Sequence, residues 1–307
     1  MKYLRKFFYC FLFLLFLNSL VSAQYIYNFS SHNFLQYNAA YAGQDTNHCF
    51  FLGAELNSEL LKSEENRWKG APYSVQFSYA GNFKQLESGL GAIGSIYSVG
   101  NTTQYDVGFA YNFNFTINEN ANLRLGLNWH ERIIEEKLQG LFNWNSNGSS
   151  LTSRTKKGSN LNSGLWFAMK KFQFGFSVNN IFKEEPDFNY LEVNKKVYFT
   201  PGINSIASYE FTVSESLKAR PTVVLERLEK RFSTNLTCLL SGTIMLYNTY
   251  IVGSGYMLRE FIPDGPLYLE AGVKAGRYVQ AMLGYSGWVN AGSSAETVSA
   301  MIKVNLY

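Results

Sequence analysis

The chain has 307 residues, of which 16% are charged and 17% are aromatic, and its formal net charge is +4. This composition excludes an intrinsically disordered chain, which would carry more charge and fewer aromatic side chains. The weak net charge, with Lys and Arg spread along the chain, also argues against a nucleic-acid-binding protein.

The first 23 residues predict a signal peptide that is removed on export. They contain three basic residues near the start, an apolar stretch over residues 7–17, and the small residues Val21, Ser22 and Ala23 before the expected cleavage site at Gln24. The apolar stretch is too short to span a bilayer permanently. Since no later run of 18 apolar residues occurs, we expect no helical membrane span in the mature chain.

Residues 24–48 precede the first predicted strand and include the histidines His32 and His48. We expect this segment to lie at the mouth of the domain that follows or to fold into its interior, where Tyr41 and Gly43 can pack as a small hydrophobic plug. The alternative interpretation is an ordered lead into the first strand without a partner of its own.

From residue 49 onwards, apolar and polar residues alternate with the period of two that β-strands require. One parity of a typical segment is apolar and the other is polar or small, as in Tyr105, Val107, Phe109, Tyr111, Phe113 and Phe115 against Gln104, Asp106, Gly108, Ala110, Asn112 and Asn114. Fourteen such segments are predicted, near residues 49–59, 72–81, 87–98, 102–116, 121–134, 160–170, 172–181, 196–210, 217–228, 230–241, 243–257, 266–275, 277–289 and 297–307. No linker separates them, so we predict one domain over residues 49–307.

Three features of these strands favour a transmembrane barrel. The apolar parity is rich in aromatic residues near strand ends, the other parity is rich in Gly, Ser, Asn and Thr, and strand interiors carry few charges, as expected around an aqueous lumen. A soluble β-sandwich would show a similar alternation and is the alternative fold. In a membrane, an open sheet edge would leave unpaired amides. We therefore predict a closed antiparallel outer-membrane β-barrel of about 14 strands with both termini on the periplasmic side.

Five blocks of sequence are typical of one family. In chain order they are Asn38-Ala39-Ala40-Tyr41-Ala42-Gly43, Arg67-Trp68-Lys69-Gly70-Ala71-Pro72, Ser88-Gly89-Leu90-Gly91-Ala92, Gly164-Leu165-Trp166-Phe167 and Phe174-Gly175-Phe176-Ser177-Val178-Asn179-Asn180-Ile181-Phe182. In this order they resemble the PorP/SprF family of type IX secretion outer-membrane proteins of Bacteroidota, with Ala39 in place of the family's usual proline. The resemblance implies a barrel that serves protein secretion or gliding motility.

The same resemblance implies protein partners for the barrel. These are periplasmic secretion-ring or peptidoglycan-linked proteins, or a secreted adhesin with a type B carboxy-terminal domain that the barrel anchors at the cell surface. A passive, porin-like barrel for small solutes is the main alternative function, because it would share the same fold. An unobstructed lumen and measurable conductance would favour that alternative.

Residues that could catalyse a reaction are scarce. His130 shares the inward parity with Arg124 and Arg132, and no nucleophile can be assigned beside it. Cys49 and Cys238 are the only cysteines after the leader, and their separation does not suit a metal site. They form either one disulfide or two buried thiols. We therefore expect no enzymatic activity, no cofactor and no metal ion.

Charged residues of the inward parity are the main candidates for a site in the lumen. They carry both signs and comprise Asp106, Arg124, Arg132, Lys218, Arg220, Glu226, Arg231, Glu270 and Lys274. Opposite charges on facing walls predict a network across the lumen that stiffens or blocks the pore. The alternative is that these side chains line water.

Two long connections, 135–159 and 183–195, are candidates for contact with protein partners. By hairpin parity, both are expected outside the cell if the chain starts in the periplasm. The first supplies the residues that we predict to contact a partner: Trp144, Arg154, Lys156 and Lys157. Solvent exposure without binding is the alternative, since long outer loops are normal in barrels.

Overall fold

The computed structural model describes residues 32–44, 48–57, 72–136, 154–182, 201–229, 234–259, 266–288 and 296–306. The strands are β1 (His48–Asn57), β2 (Tyr73–Phe83), β3 (Ser88–Val99), β4 (Thr102–Asn118), β5 (Ala121–Glu136), β6 (Arg154–Met169), β7 (Phe172–Asn179), β8 (Gly202–Tyr209), β9 (Phe211–Ser214), β10 (Leu217–Glu229), β11 (Thr234–Leu246), β12 (Tyr250–Arg259), β13 (Pro266–Ala275), β14 (Val279–Trp288) and β15 (Thr297–Leu306). Short 3-10 helices cover Phe34–Gln36, Ala39–Tyr41 and Lys84–Leu86. In the part of the chain that is described, no helix is long and apolar enough to cross a membrane.

The strands form one antiparallel sheet that closes into a barrel. Strands adjacent in sequence pair along the sheet, and β15 pairs with β1 from His48 opposite Leu306 to Asn57 opposite Thr297. Both β8 and β9 pair with β10 and together form one strand that is interrupted at Glu210, so the described residues build a barrel of fourteen strands. The predicted closed, antiparallel, all-β barrel is confirmed.

The outer face of the barrel carries the apolar parity of the sequence. On β4, Phe109 and Phe113 expose 66% and 55% of their surface, whereas Asn112 between them is fully buried. The same division holds on β5, where Leu125 is exposed and Arg124 is buried. Since an apolar band of this kind suits lipid rather than water, the soluble β-sandwich is wrong.

The two ends of the barrel differ in the length of their connections. At the end where β1 begins and β15 ends, residues 119–120 join β4 to β5 and residues 170–171 join β6 to β7. At the opposite end, residues 137–153 join β5 to β6 and residues 180–201 join β7 to β8. Because outer-membrane barrels have short turns on the periplasmic side, the end that carries the short turns is the periplasmic one.

The predicted boundary between the tenth and eleventh strand segments is wrong. The sequence pattern predicts strands over 230–241 and 243–257 with a turn at Gly242 between them. Gly242 instead lies inside β11, and the turn covers residues 247–249. The pair Ser-Gly is typical of turns, whereas the residue that begins the observed turn, Tyr247, is typical of strands.

The interior of the barrel is more apolar than the sequence pattern predicts. The buried side chains of Phe51, Ile251, Met282 and Met301 form a cluster on the inner face of β1, β12, β14 and β15. They lie within a few residues of the periplasmic ends of these strands. The expected aqueous lumen is therefore wrong for this part of the barrel, because bulky side chains occupy it.

Candidate functional site

Residues 32–44, called the plug below, lie inside the barrel ahead of β1. They form the two 3-10 turns Phe34–Gln36 and Ala39–Tyr41. Most of their side chains are buried, and Ala40 and Ala42 have no exposed surface. A segment this short cannot bury itself, so its burial comes from the barrel wall.

The family-like motif, residues 38–43, forms the centre of the plug. Asn38 caps the second 3-10 turn, because the Ala40 N–H donates to Asn38 Oδ1 at 2.9 Å. Gly43 ends the motif in the left-handed region, with φ of 69°. A side chain there would be strained and would also meet the carbonyl oxygen of Gly81, 2.6 Å from the Cβ position.

Asn112 and Arg124 hold the plug from β4 and β5. The Asn112 Nδ2 donates to the carbonyl oxygens of Ala42 at 2.8 Å and of Ala40 at 3.2 Å. The Arg124 Nη1 donates to the same Ala42 oxygen at 2.5 Å. Both side chains are at most 2% exposed. They satisfy carbonyl groups that a short helical turn leaves without an internal partner.

Polar contacts from β6 and β7 hold the middle of the plug. The Asn38 Nδ2 donates to the carbonyl oxygens of Leu165 at 2.9 Å and Phe176 at 3.1 Å. The Ser177 Oγ donates to the carbonyl oxygen of Tyr37 at 2.7 Å. A plug side chain therefore donates hydrogen bonds to the wall, and a wall side chain donates one to the plug.

Three aromatic rings pack where the plug meets β6. The ring centroids of Tyr41 and Phe34 lie 4.7 Å and 5.4 Å from that of Trp166, whose side chain is fully buried. Phe34 and Tyr41 also contact each other edge to face, with centroids 5.3 Å apart. Ring pairs in this distance range contribute to stability beyond their buried area.

Glycines on the inner wall leave room for the plug backbone. A Cβ atom at Gly89, Gly126 or Gly164 would lie 2.2, 2.4 or 2.1 Å, respectively, from the nearest plug atom. The small residues of the inward parity are thus explained here by a packed peptide segment. They do not indicate open water at these positions.

The start of the plug reaches the opposite wall of the barrel. His32 Nε2 lies 2.9 Å from Glu270 Oε1 on β13, and His32 Nδ1 lies 3.3 Å from Gln280 Nε2 on β14. The Lys303 Nζ on β15 donates to the His32 carbonyl oxygen at 3.4 Å. The plug therefore crosses the lumen from the β3–β7 wall to the β13–β15 wall.

The plug lies in the periplasmic half of the barrel. Its wall contacts Gly89 and Arg124 are the second residue of β3 and the fourth residue of β5. Both strands begin at the end that carries the short turns. Together with the cluster of Phe51, Ile251, Met282 and Met301, the plug occupies most of this half of the lumen, and a small cavity remains between the plug and the wall beside Phe51 and Lys303.

The charged residues predicted to face the lumen make contacts at separate places in the described part of the barrel. Arg132 Nε lies 2.6 Å from Asp106 Oδ1, and this pair is partly exposed. Arg124 and Glu270 both contact the plug, from opposite walls. The described charges therefore act mainly on the plug and within separate pairs.

The remaining predicted lumenal charges lie on β10 and β13. Glu226 is buried, whereas Lys218, Arg220 and Lys274 are half-buried. Arg231 lies outside the described residues.

The predicted partner-contact loop is shorter than the sequence pattern suggests. Arg154, Lys156 and Lys157 belong to β6 rather than to a loop, because the β5–β6 hairpin extends to Glu136. Lys156 Nζ lies 2.6 Å from Glu136 Oε1 across this hairpin. Trp144 and the second predicted loop lie outside the described residues.

The described lumen has no arrangement suited to a metal ion, since no group of three or more His, Cys, Asp or Glu occurs there. Cys49 on β1 and Cys238 on β11 are not joined in a disulfide. What the described side chains do offer is a set of amide and guanidinium donors for backbone carbonyl groups. Such a set binds a peptide segment.

The sequence pattern does not single out the wall residues that contact the plug, such as Asn112, Trp166 and Ser177. One signal was present: inward-facing glycines recur on β3, β5 and β6. A glycine inside a strand often marks the close approach of another backbone. The inward glycines therefore indicate the plug. The hydrogen bonds between plug and wall join residues that are too distant in sequence to form a pattern.

A closed barrel with an apolar outer face and short turns at one end defines an outer-membrane β-barrel protein. The chain belongs to the family described as type IX secretion system membrane protein PorP/SprF, which matches residues 20–306. The resemblance noted in the sequence is thereby confirmed. No curated protein is detectably similar to the chain.

Solved structures with a similar fold are transport barrels. The chain shares 9% identity with the toluene transporter TbuX of Ralstonia pickettii, over 89% of this chain and 93% of that one, with a TM-score of 0.55. The monoaromatic hydrocarbon channel CymD shares 11% identity, over 95% of each chain, with a TM-score of 0.54. The toluene transporter TodX of P. putida shares 10%, over 94% and 96%, with a TM-score of 0.53. At these identities the likeness establishes the fold alone.

Proposed function

We propose that this barrel is a closed, non-enzymatic component of type IX secretion or gliding motility that holds protein partners at the outer membrane and does not pass small solutes. The observation that carries the proposal is the plug, which bonds to both walls of the periplasmic half of the lumen. A conducting pore needs a continuous aqueous path, and packed side chains and peptide backbone occupy that position here.

The energetics favour a plug that stays in place. Each hydrogen bond between neutral groups contributes about 1 kcal/mol, and bonds to charged groups contribute about 1.5–3 kcal/mol. These contributions support a structural plug over a mobile gate.

The partners are proposed from the family. A periplasmic secretion-ring or peptidoglycan-linked protein would meet the end with the short turns, whereas a secreted adhesin with a type B carboxy-terminal domain would meet the end with the long connections. The barrel serves secretion in the first case and surface anchoring in the second. Cross-linking from each end distinguishes them.

Passive transport of small solutes is the second candidate function. It is favoured by the transport barrels among the similar folds, since TbuX and TodX are toluene transporters and CymD is a monoaromatic hydrocarbon channel. The filled periplasmic half of the lumen argues against it.

Single-channel recording in planar bilayers tests the closed lumen. We expect the purified wild-type barrel to insert without resolvable conductance steps, because the plug and the adjacent apolar cluster fill the periplasmic half of the lumen. An open porin of similar strand number, inserted under the same conditions, provides the control. Stable, ohmic steps from the wild-type barrel would contradict the closed lumen and favour passive transport.

Trp144→Ala tests partner contact at the outer end. We expect weaker recovery of the partner after cross-linking and affinity purification, because an aromatic residue within a polar stretch of sequence is a typical anchor in an interface. Heat-modifiable migration in gels should remain as in the wild type. Unchanged partner yield would exclude this loop as the contact.

A further inference from the structure

Glu226 is a buried carboxylate on the inner face of β10 that the plug does not contact. Only 6% of its surface is exposed. Within the described residues, no hydrogen bond or ion pair reaches it. A buried carboxylate without a partner is unfavourable, and it is stabilised by a proton or by a cation.

The two neighbouring strands place neutral polar side chains directly beside this carboxylate. Asn204 of β8 lies opposite Glu226 on one side, and Thr237 of β11 lies opposite it on the other. Each is 3% exposed, and the Asn204 Oδ1 has no hydrogen-bond partner. Directly opposed residues have Cβ atoms about 5 Å apart, so three acceptor groups lie side by side on the inner wall.

This group of acceptors lies towards the outer end of the lumen. Glu226 is three residues from the end of β10, where the chain leaves for the connection to β11. The inward residues one step below it on the three strands are Val224, Ile206 and Leu239, and all are at most 1% exposed. They form an apolar floor, which separates the site from the periplasmic half.

Three cationic side chains of the described lumen are engaged elsewhere. Arg132 is paired with Asp106, Lys156 is paired with Glu136, and Arg124 donates to the plug. The charge of Glu226 is therefore not neutralised by these groups.

We propose that Glu226, Asn204 and Thr237 form a binding site for a primary ammonium group that enters from the outer face. A primary ammonium carries one positive charge and three N–H donors, which match one carboxylate and two neutral oxygen acceptors. A metal ion fits less well, because one carboxylate supplies too little charge for a divalent ion. The apolar floor belongs to the same buried cluster as the plug. No hydrogen bond of the described residues joins Glu226, Asn204 or Thr237 to the plug, so this site and the closed lumen can fail separately in experiments.

Titration of the full-length barrel in detergent micelles with n-butylammonium chloride tests the proposal, with saturation-transfer NMR on the butyl protons as the readout. We expect saturable binding to the wild type and at least a tenfold rise in Kd for Glu226→Gln, because a charge-assisted hydrogen bond is lost. Tetramethylammonium, which has the same charge but no N–H donor, should bind at least tenfold more weakly. Asn204→Ala should weaken binding severalfold.

Glu131→Gln removes an exposed glutamate on β5 and is the matched control, with binding expected as in the wild type. Gel migration of the unheated barrel shows that each variant is folded, and Asn204→Ala keeps the test decisive if Glu226→Gln does not fold. Equal binding by wild type and Glu226→Gln would overturn the site. Displacement by an equal concentration of sodium ions would overturn the assignment to an ammonium group.

Discussion

At the scale of single residues, two wall glycines illustrate how the plug limits the size of the residues that the barrel wall can carry. Gly126 on β5 faces the plug, and a Cβ atom there would lie 2.4 Å from the Ala40 nitrogen. Gly242 on β11 has no heavy atom within 4 Å of its Cβ position. One methyl group therefore has very different consequences at the two positions.

Gly126→Ala is expected to displace the plug from β5. Overpacking by one methyl group typically costs about 1–3 kcal/mol, so the unfolding midpoint in guanidinium chloride should fall, and conductance steps should appear as the plug shifts.

Gly242→Ala is the matched control, with a stability change within about 0.5 kcal/mol and no conductance. Equal effects of the two substitutions would show that the plug does not determine the tolerance of the wall.

At the scale of elements, the turn between β11 and β12 explains the wrong strand boundary. Tyr247 and Asn248 have φ of 51° and 52°, and the Thr249 N–H donates to the Leu246 carbonyl oxygen at 3.0 Å. Two consecutive left-handed residues are typical of type I′ turns, where Asn and Gly are preferred. Because tyrosine occupies the first of these positions, the sequence pattern does not predict this turn.

Tyr247→Asn is expected to stabilise the barrel by roughly 1 kcal/mol, because asparagine tolerates the left-handed conformation better than tyrosine does. Thermal unfolding followed by gel migration measures the change. Tyr278→Asn, at an exposed turn residue without a positive φ, should give no such gain. A lower melting temperature for Tyr247→Asn would mean that the ring contributes more than the backbone strain costs.

The alternation of residues was sufficient to predict the strands and their faces, because burial on one face imposes a period of two. Phe113 outside and Asn112 inside are as the pattern predicts. The plug contacts could not be predicted in this way. Asn112 and Ala42, for example, are separated by 70 residues, and the polar character of an inward residue does not reveal whether water or peptide faces it.

At the scale of the whole molecule, closure of the sheet replaces other means of holding a barrel together. The β15–β1 pairing joins the last strand to the first and closes the sheet. Cys49 and Cys238 are not cross-linked. Stability therefore rests on the hydrogen-bond ladder, the lipid-facing apolar band and the packed interior.

The absence of that cross-link predicts that reduction leaves stability unchanged. We expect the same melting temperature with and without dithiothreitol, measured by the gel shift of the folded barrel. A fall on reduction would reveal a disulfide that contributes to the native state. Cys49→Ser, tested without reductant, should match the reduced wild type.

The position of the plug also constrains the order of assembly. The plug is followed within four residues by β1, which is one of the two strands that meet when the cylinder is sealed. The plug bonds to β4, β5 and β13. It must therefore enter the lumen before or while the first and last strands pair, because the completed barrel wall then narrows the opening. We therefore expect the amino-terminal segment to enter the lumen early in the biogenesis of this protein, before the β1–β15 seam forms.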